Sequence, residues 1–296
     1  MADLALIKKL RDTTGCGIAD CNKALAATND NIEEAVDWLR KKGLSSAAKK
    51  SGRITSEGAV AVNILGKKAS IIEVNSETDF VARNQKFQEF VAKLSVEALA
   101  FGDDIVKFQA AKDEEVKQQI SVIGENINVR RIATLEVSQG LVVGYVHNTT
   151  APNMGKIAVL VALESAASDE KLNELGKQLA MHIAAAKPEA LAIDAVDPAR
   201  LARETDVLKE QARASGKPES IIDKMIEGRI RKYYEEVVFL EQLFVMDDKL
   251  KIKDLLTNFS KENGATKIAG FKLFVLGDGI EKQENDFAAE VASMTK

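Results

Sequence analysis

The order strand, strand, amphipathic helix occurs twice in this chain, and that repetition constrains the fold more than any other feature. In the first copy, EGAVAVNIL (57–65), a Gly66-Lys67 turn and ASIIEVN (69–75) read as two antiparallel strands. NQKFQEFVAKLSVEALA (84–100) follows as a helix with Phe87, Phe90, Val91 and Leu94 facing inward. In the second copy, GLVVGYVHN (140–148) and KIAVLVALE (156–164) form the strand pair. The helix is then DEKLNELGKQLAMHIAAA (169–186), with Leu172, Leu175 and Leu179 inward. A helix with one apolar face needs a sheet or another helix to cover it, so the recurrence predicts a duplicated α+β core.

The copies differ between the second strand and the helix. The later copy crosses in about five residues, ESAAS, whereas the first uses about ten, NSETDFVARN. The extra length carries Asp79 and Phe80. A Phe beside an Asp in a polar connection is either a hydrophobic staple folding onto its own helix or an exposed anchor for a partner. Pattern alone favours the staple.

Helical segments flank the core. Leu4, Ile7 and Leu10 recur at helical spacing, TTGCG breaks the run with Gly15 and Gly17 in a tight turn, and Asp20 begins a second helix carrying Cys21, Ala24 and Leu25. A third helix after Asp30 places Ile32, Ala35, Val36 and Leu39 on one face, with Trp38 at its edge. SSAAKKSGRIT (45–55) is small, polar and basic and reads as a helical or flexible linker. From Asp197 to about Tyr233 the chain reads as a protruding helical hairpin. Its stripes are Leu201, Thr205, Leu208, Ala212 and Ile222, Met225, Ile226, Ile230, interrupted at Gly216 and Pro218. ATKIAGFKLFVLG (265–277) returns to strand and DFAAEVASM (286–294) ends the chain as a helix. The expected units are 1–54, 55–139, 140–280 with the hairpin inside it, and 281–296.

Composition removes several functions. Forty-one Lys and Arg against 45 Asp and Glu leave a net charge of −4, without the basic excess that drives phosphate-backbone binding, so nucleic acid is not the expected ligand. No apolar run is long enough to span a bilayer, and MADLALIKKLRDTTG lacks the features of a secretory signal. Two cysteines, Cys16 and Cys21, fit a reducing compartment and buried, inert thiols, and a cytoplasmic location is expected. His147 and His182 are the only histidines, each with a packed or surface role as the default. With no HExxH, GxSxG or CxxC, neither a catalytic residue nor a metal site is expected. Asp12-Thr13-Thr14-Gly15 has the DxxG form found in GTPases, but no GxxxxGK[ST] cradle accompanies it, so no bound nucleotide or other cofactor is expected.

TGCGIADCNKAL (14–25), ETDFVARN (77–84), IGENINVRR (123–131), SGKPESIIDKMIEGR (215–229) and GIEKQENDFAAEVA (279–292) occur in this order over nearly the whole length. Together they closely resemble the bacterial elongation factor Ts family, the guanine-nucleotide exchange factors for elongation factor Tu. The resemblance implies an N-terminal three-helix ubiquitin-associated-like domain, an α+β core of two related subdomains, a helical hairpin and a C-terminal helix. It implies elongation factor Tu, a GTPase, as the partner, and exchange without covalent chemistry. Thr78, Asp79 and Phe80 then reach the partner's GTPase domain near its magnesium and phosphate site, which reverses the staple reading of Phe80. The further partner-contacting positions implied are Arg11, Ile18, Ile123, Gly124, His147, Val245 and Met246. The chain departs from the family at NTTAPNMGK (148–156), read as a longer hairpin loop, and at Leu243, where Pro often precedes FVM. The rival reading is a ubiquitin-associated-like adaptor or chaperone-like scaffold without exchange activity; self-association is open under either.

Overall fold

Three helices open the chain: α1 (Leu4–Thr14), α2 (Ile18–Ala27) and α3 (Ile32–Lys50). The computed structural model describes residues 3–214 and 219–281. The first helix starts on Asp3, whose carboxylate accepts from Ala5 N–H at 3.0 Å, and stops at Gly15 in the left-handed region. Ile7, Leu10, Cys16, Cys21, Ala24, Leu25, Ala35 and Leu39 make the core of this unit. Leu4, expected inward, is exposed. It lies about 120° round the helix from Leu10, at the margin of a stripe centred on Ile7 and Leu10. The second helix begins at Ile18 rather than Asp20, which places the Asp20 carboxylate in the first turn, where the helix dipole favours it.

The stretch read as a linker is largely the end of α3. Ala47 is buried in the core of the first repeat, and Gly43 lies so close to α6 (Ile105–Ile123) that a Cβ there would stand 3.0 Å from the Ser121 Cβ. Small residues that suggest flexibility in sequence here permit two helices to approach closely.

Each repeat holds more than the sequence pattern showed. The first runs β1 (Glu57–Leu65), β2 (Lys68–Ser76), a four-residue α4 (Asp79–Ala82), α5 (Gln85–Ala98), α6 and β3 (Ile127–Glu136). The second runs β4 (Gly140–Ala151), β5 (Met154–Ser165) and α7 (Asp169–Ala186), then the hairpin α8 (Pro198–Ala214) and α9 (Glu219–Val237). It closes with β6 (Leu243–Phe244), β7 (Asp247–Lys251), α10 (Ile252–Asn263) and β8 (Thr266–Val275). Helix α9 extends past Tyr233 because Tyr233, Tyr234 and Val237 pack on Ala190, Val196 and Val238 at the hairpin base. The interruption at Gly216 and Pro218 and the terminal helix DFAAEVASM lie outside the described residues.

Six strands form one antiparallel sheet in two triplets, β3-β2-β1 and β4-β5-β8. They meet where Val60 and Ala61 pair with Gly155 and Met154. Corresponding glycines open the two hairpins. Gly58 has φ 122° and Gly140 φ 115°, each pressed against the backbone of its partner strand, where a Cβ would come within 2.2 Å of Val74 O and 2.0 Å of Leu163 O respectively.

Alternate residues explain the nearly continuous apolar strands. Val60, Val62, Ile71, Ala158, Leu160 and Ala162 face one another between the triplets. Ala59, Ala61, Ile72 and Val74 face α5 and α6, while Val159, Val161 and Leu163 face α7. Burial on both faces removes the polar alternation of a solvent-facing strand. The segment NTTAPNMGK is not a long loop: β4 continues to Ala151 and β5 starts at Met154. The tip reaches the first repeat, where Met154 is buried and Asn153 O accepts from Val62 N–H at 3.0 Å.

A buried carboxylate ties the repeats together. Glu73 is fully buried and accepts from Arg130 Nη1 at 3.2 Å, Arg131 Nε, Asn75 Nδ2 at 3.0 Å and Gly277 N–H at 2.8 Å. Strand β3 bulges opposite Glu73 and Val74, leaving Arg130 as the extra residue, so two consecutive arginines reach one carboxylate.

Candidate partner-docking site

The segment after β2 is held in place on both sides of Phe80. Ser76 Oγ donates to Thr78 O at 3.0 Å. The Glu125 carboxylate accepts from Thr78 N–H at 3.0 Å and from Thr78 Oγ1–H at 2.6 Å. In return, Glu77 accepts from Asn126 N–H at 2.6 Å, and Asn126 Nδ2 donates to Arg53 O at 2.9 Å. Beyond Phe80, Val81 and Ala82 are buried, and Asn84 caps α5 by accepting from Lys86 N–H at 2.9 Å.

Phe80 itself is 81% exposed, so it does not staple its helix. Burying a Phe side chain is worth about 1.5–3 kcal/mol, and this surface remains unused in the isolated chain. Asp79 beside it is partly exposed and pairs with Arg83 at 3.3 Å.

Ile123 and Gly124 end α6 next to this segment. Ile123 rests on the first repeat's core, while Gly124, at φ 90°, turns the chain so that Glu125 meets Thr78. The N-terminal unit touches the same end: Val122 packs into its core, and Lys86 Nζ donates to Gly15 O at 3.3 Å. Arg11 and Ile18 flank that Gly15 turn and are both exposed. Arg11, Ile18, Thr78, Asp79, Phe80, Ile123 and Gly124 are therefore assembled at one end of the first repeat.

The remaining three positions belong to the second repeat. His147 is exposed on β4, with Nδ1 2.9 Å from the Tyr145 hydroxyl. Val245 and Met246 form the turn between β6 and β7, both about half exposed beside an equally exposed Leu243. His182 supports this turn from beneath. Its Nδ1 accepts from Val245 N–H at 3.2 Å, which leaves Nε2–H to donate to Gln242 Oε1 at 2.8 Å. Gln242 Nε2 then donates to Glu236 O at 2.7 Å, and Phe239 and Phe244 enclose the ring. Burial holds the His182 pKa below the usual imidazole value, opposed by the Gln242 hydrogen bond.

Glu125, Glu77 and Asn126 escaped sequence reasoning as supports of the Thr78–Phe80 segment, although their motifs had been singled out. The available signal was two separate polar motifs, ETD and GEN, each rich in hydrogen-bonding groups beside a predicted element boundary.

Cys16 and Cys21 are free and buried, and burial raises the Cys21 thiol pKa. A groove of about 550 Å³ between α3 and α6 includes Arg40, Glu114 and Glu115, but Arg40 pairs with Glu114 and Glu115 with Lys93. Among the described residues, no group of three or more His, Cys, Asp and Glu side chains could hold a metal ion, and no helix is long and apolar enough to cross a membrane.

The protein family described as Elongation factor TS matches residues 77–278, from the Thr78 segment through the Val245 turn to the end of β8. Elongation factor Ts of Rhodospirillum centenum is 57% identical over 299 residues, covering 98% of this chain and 97% of its own length. That of Paramagnetospirillum magneticum is 54% identical over 298 residues, covering 98% and 96%, and that of Rhodospirillum rubrum 52% over 302 residues, covering 99% and 98%. The match takes in Thr78–Phe80, the first repeat from α4 onward and the second repeat with its Val245 turn, and the relatives align almost end to end: this chain belongs to the elongation factor Ts family, with a role in translation elongation.

Proposed function

We propose that the chain is a guanine-nucleotide exchange factor that binds elongation factor Tu in the cytoplasm, disturbs its magnesium and phosphate site and promotes GDP release. The observation that carries this reading is Phe80, 81% exposed between a tethered Thr78 and buried Val81 and Ala82. An exchange factor binds the nucleotide-free GTPase more tightly than the loaded form, and linkage requires nucleotide affinity to fall by the same factor. Phe80 acts as a wedge that displaces groups positioning magnesium and phosphate, with Asp79 and Thr78 beside it. Loss of magnesium removes the largest charge compensating the phosphates.

Binding energy for the distorted state comes from contacts spread over both repeats. Arg11, Ile18, Ile123 and Gly124 contribute at the Phe80 end, and His147, Val245 and Met246 from the second repeat. Residues 1–54 act as a docking unit, and residues 55–139 and 140–280 as the two core subdomains. No acid, base or nucleophile is required.

The test is stopped-flow release of fluorescent GDP from elongation factor Tu. Phe80→Ala forfeits about 1.5–3 kcal/mol of burial in the distorted state. It should therefore slow release at saturating factor by about 10- to 100-fold. Wild-type stimulation by a folded Phe80→Ala variant refutes the wedge. Binding of wild-type chain without faster release would favour the adaptor reading.

A further inference from the structure

We propose that Glu125 is a positioning residue for exchange, acting through Thr78 to hold Phe80 in its projecting orientation. This inference rests on the exchange reading above. Glu125 lies 47 residues from Thr78 in sequence, yet both of its carboxylate oxygens are used on that one residue. Among the described residues, no lysine or arginine forms an ion pair with it. Its charge instead strengthens two hydrogen bonds, from an N–H and an O–H.

Thr78 departs from the usual conduct of a residue at this position. A threonine preceding a helix normally turns its hydroxyl oxygen onto the first free N–H groups of that helix. Thr78 makes no such side-chain bond to α4, and its hydroxyl donates to Glu125. What the short helix gives up in local capping appears as a tether to the end of α6. The neighbouring bond from Asn126 N–H to Glu77, at 2.6 Å, runs the opposite way, so two adjacent residues of each segment are cross-linked.

The exit of the segment is secured separately by buried Val81 and Ala82. Phe80 sits between these two restraints without packing of its own. Releasing the entry leaves α4 free to pivot on its buried end, and Phe80 then samples directions that do not meet the partner's nucleotide site. The fraction of chain carrying a competent Phe80 falls, and the maximal rate falls with it. Contacts from the rest of the surface still supply affinity, so the concentration giving half-maximal rate changes less.

The experiment measures fluorescent GDP release from elongation factor Tu against concentration of the full chain, for Glu125→Ala, Phe80→Ala and the double variant. Glu125→Ala removes both hydrogen bonds, and with water replacing part of them at this partly exposed site the expected result is about a tenfold fall in maximal rate, with a less than threefold change in half-maximal concentration. Glu125→Gln, which keeps one carbonyl acceptor, should fall between Glu125→Ala and wild type. In the Phe80→Ala background, Glu125→Ala should cause no further loss, because Glu125 has nothing left to position. Thr78→Val removes the hydroxyl donor from the other side and reads the same tether if Glu125→Ala fails to fold.

A slow Phe80→Ala with wild-type rates for Glu125→Ala and Thr78→Val overturns the positioning role and leaves the exchange reading intact. A further tenfold loss in the double variant also overturns it, since Glu125 would then act independently of Phe80. An unimpaired Phe80→Ala overturns both readings.

Discussion

Replacing Glu73 with alanine should destabilise the whole core, because one carboxylate holds groups from β2, β3 and the segment after β8. The structure supplies the magnitude. Removing one partner of a buried ion pair costs about 3–5 kcal/mol when the other is left uncompensated. Arg130 and Arg131 keep 26% and 28% of their side-chain surface, so water takes up part of their charge. Each also retains a backbone acceptor, Arg130 on Asp278 O and Arg131 on Val275 O at 2.8 Å. Asn75 retains Glu57 O at 3.3 Å, whereas the Gly277 N–H loses the carboxylate that accepts it. These compensations set the loss at the lower end, about 3 kcal/mol. At about 2–3 °C per kcal/mol for a chain of this size, the unfolding midpoint should fall by about 6–9 °C. Circular dichroism during heating measures the shift, with Glu73→Gln expected between Glu73→Ala and wild type. A midpoint for Glu73→Ala within 2 °C of wild type, about 1 kcal/mol or less, would refute the claim that this network joins the repeats.

Two further outcomes follow from buried and projecting parts of the second repeat. The His182 pKa is depressed in the folded chain, so its contribution is fully present above the unfolded value of about 6.5 and is lost as pH falls through the folded value. Urea midpoints should decline as pH is lowered from about 6.5 towards 5, and His182→Gln should flatten that decline; identical pH profiles for variant and wild type would count against it. Replacing residues 202–230 of the hairpin with a short Gly-Ser linker removes the Ile222–Ile226–Ile230 seam together while sparing Leu201, which packs at the base. That variant should retain the core's thermal transition and most GDP release at saturating concentration, and a folded variant without exchange activity would make the hairpin essential.

The legible parts of the fold are those whose burial is uniform along an element. EGAVAVNIL and KIAVLVALE read as strands because both faces are covered, and α5 and α7 read as helices because each buries a single stripe on the sheet. Periodicity does not show helix α6, because its middle carries Lys112, Asp113, Glu114 and Glu115 and, among the described residues, Phe108 and Ile120 are its only buried positions. Strand β3 is hidden from pattern because the bulge at Arg130 breaks its alternation and places adjacent charges against buried Glu73. The segment from Val238 to Lys251 folds into very short elements, its strands only two and five residues long, too short for periodicity to register.

The candidate site was legible by a different route. Loop length drew attention to Asp79 and Phe80, but length cannot distinguish a staple from an anchor, since both place an aromatic next to a helix. That distinction depends on what occupies the space beneath. Val81 and Ala82 take the buried positions of α4, and the Thr78 tether fixes the direction from which the chain enters. Phe80 is thus exposed by the packing of its neighbours rather than by any property of its own side chain. The Val245 turn is organised similarly, with buried His182 accepting its backbone N–H while the Val245 and Met246 side chains remain outside. In both places a polar side chain distant in sequence, partly buried Glu125 in one and fully buried His182 in the other, holds the backbone beside an apolar side chain that the chain itself leaves uncovered. Such supports are separated from the residues they hold by 47 and 63 positions, beyond the reach of local pattern. A surface built this way presents apolar contacts without collapsing onto them, which is the physical requirement for a protein that stores its binding energy for a partner.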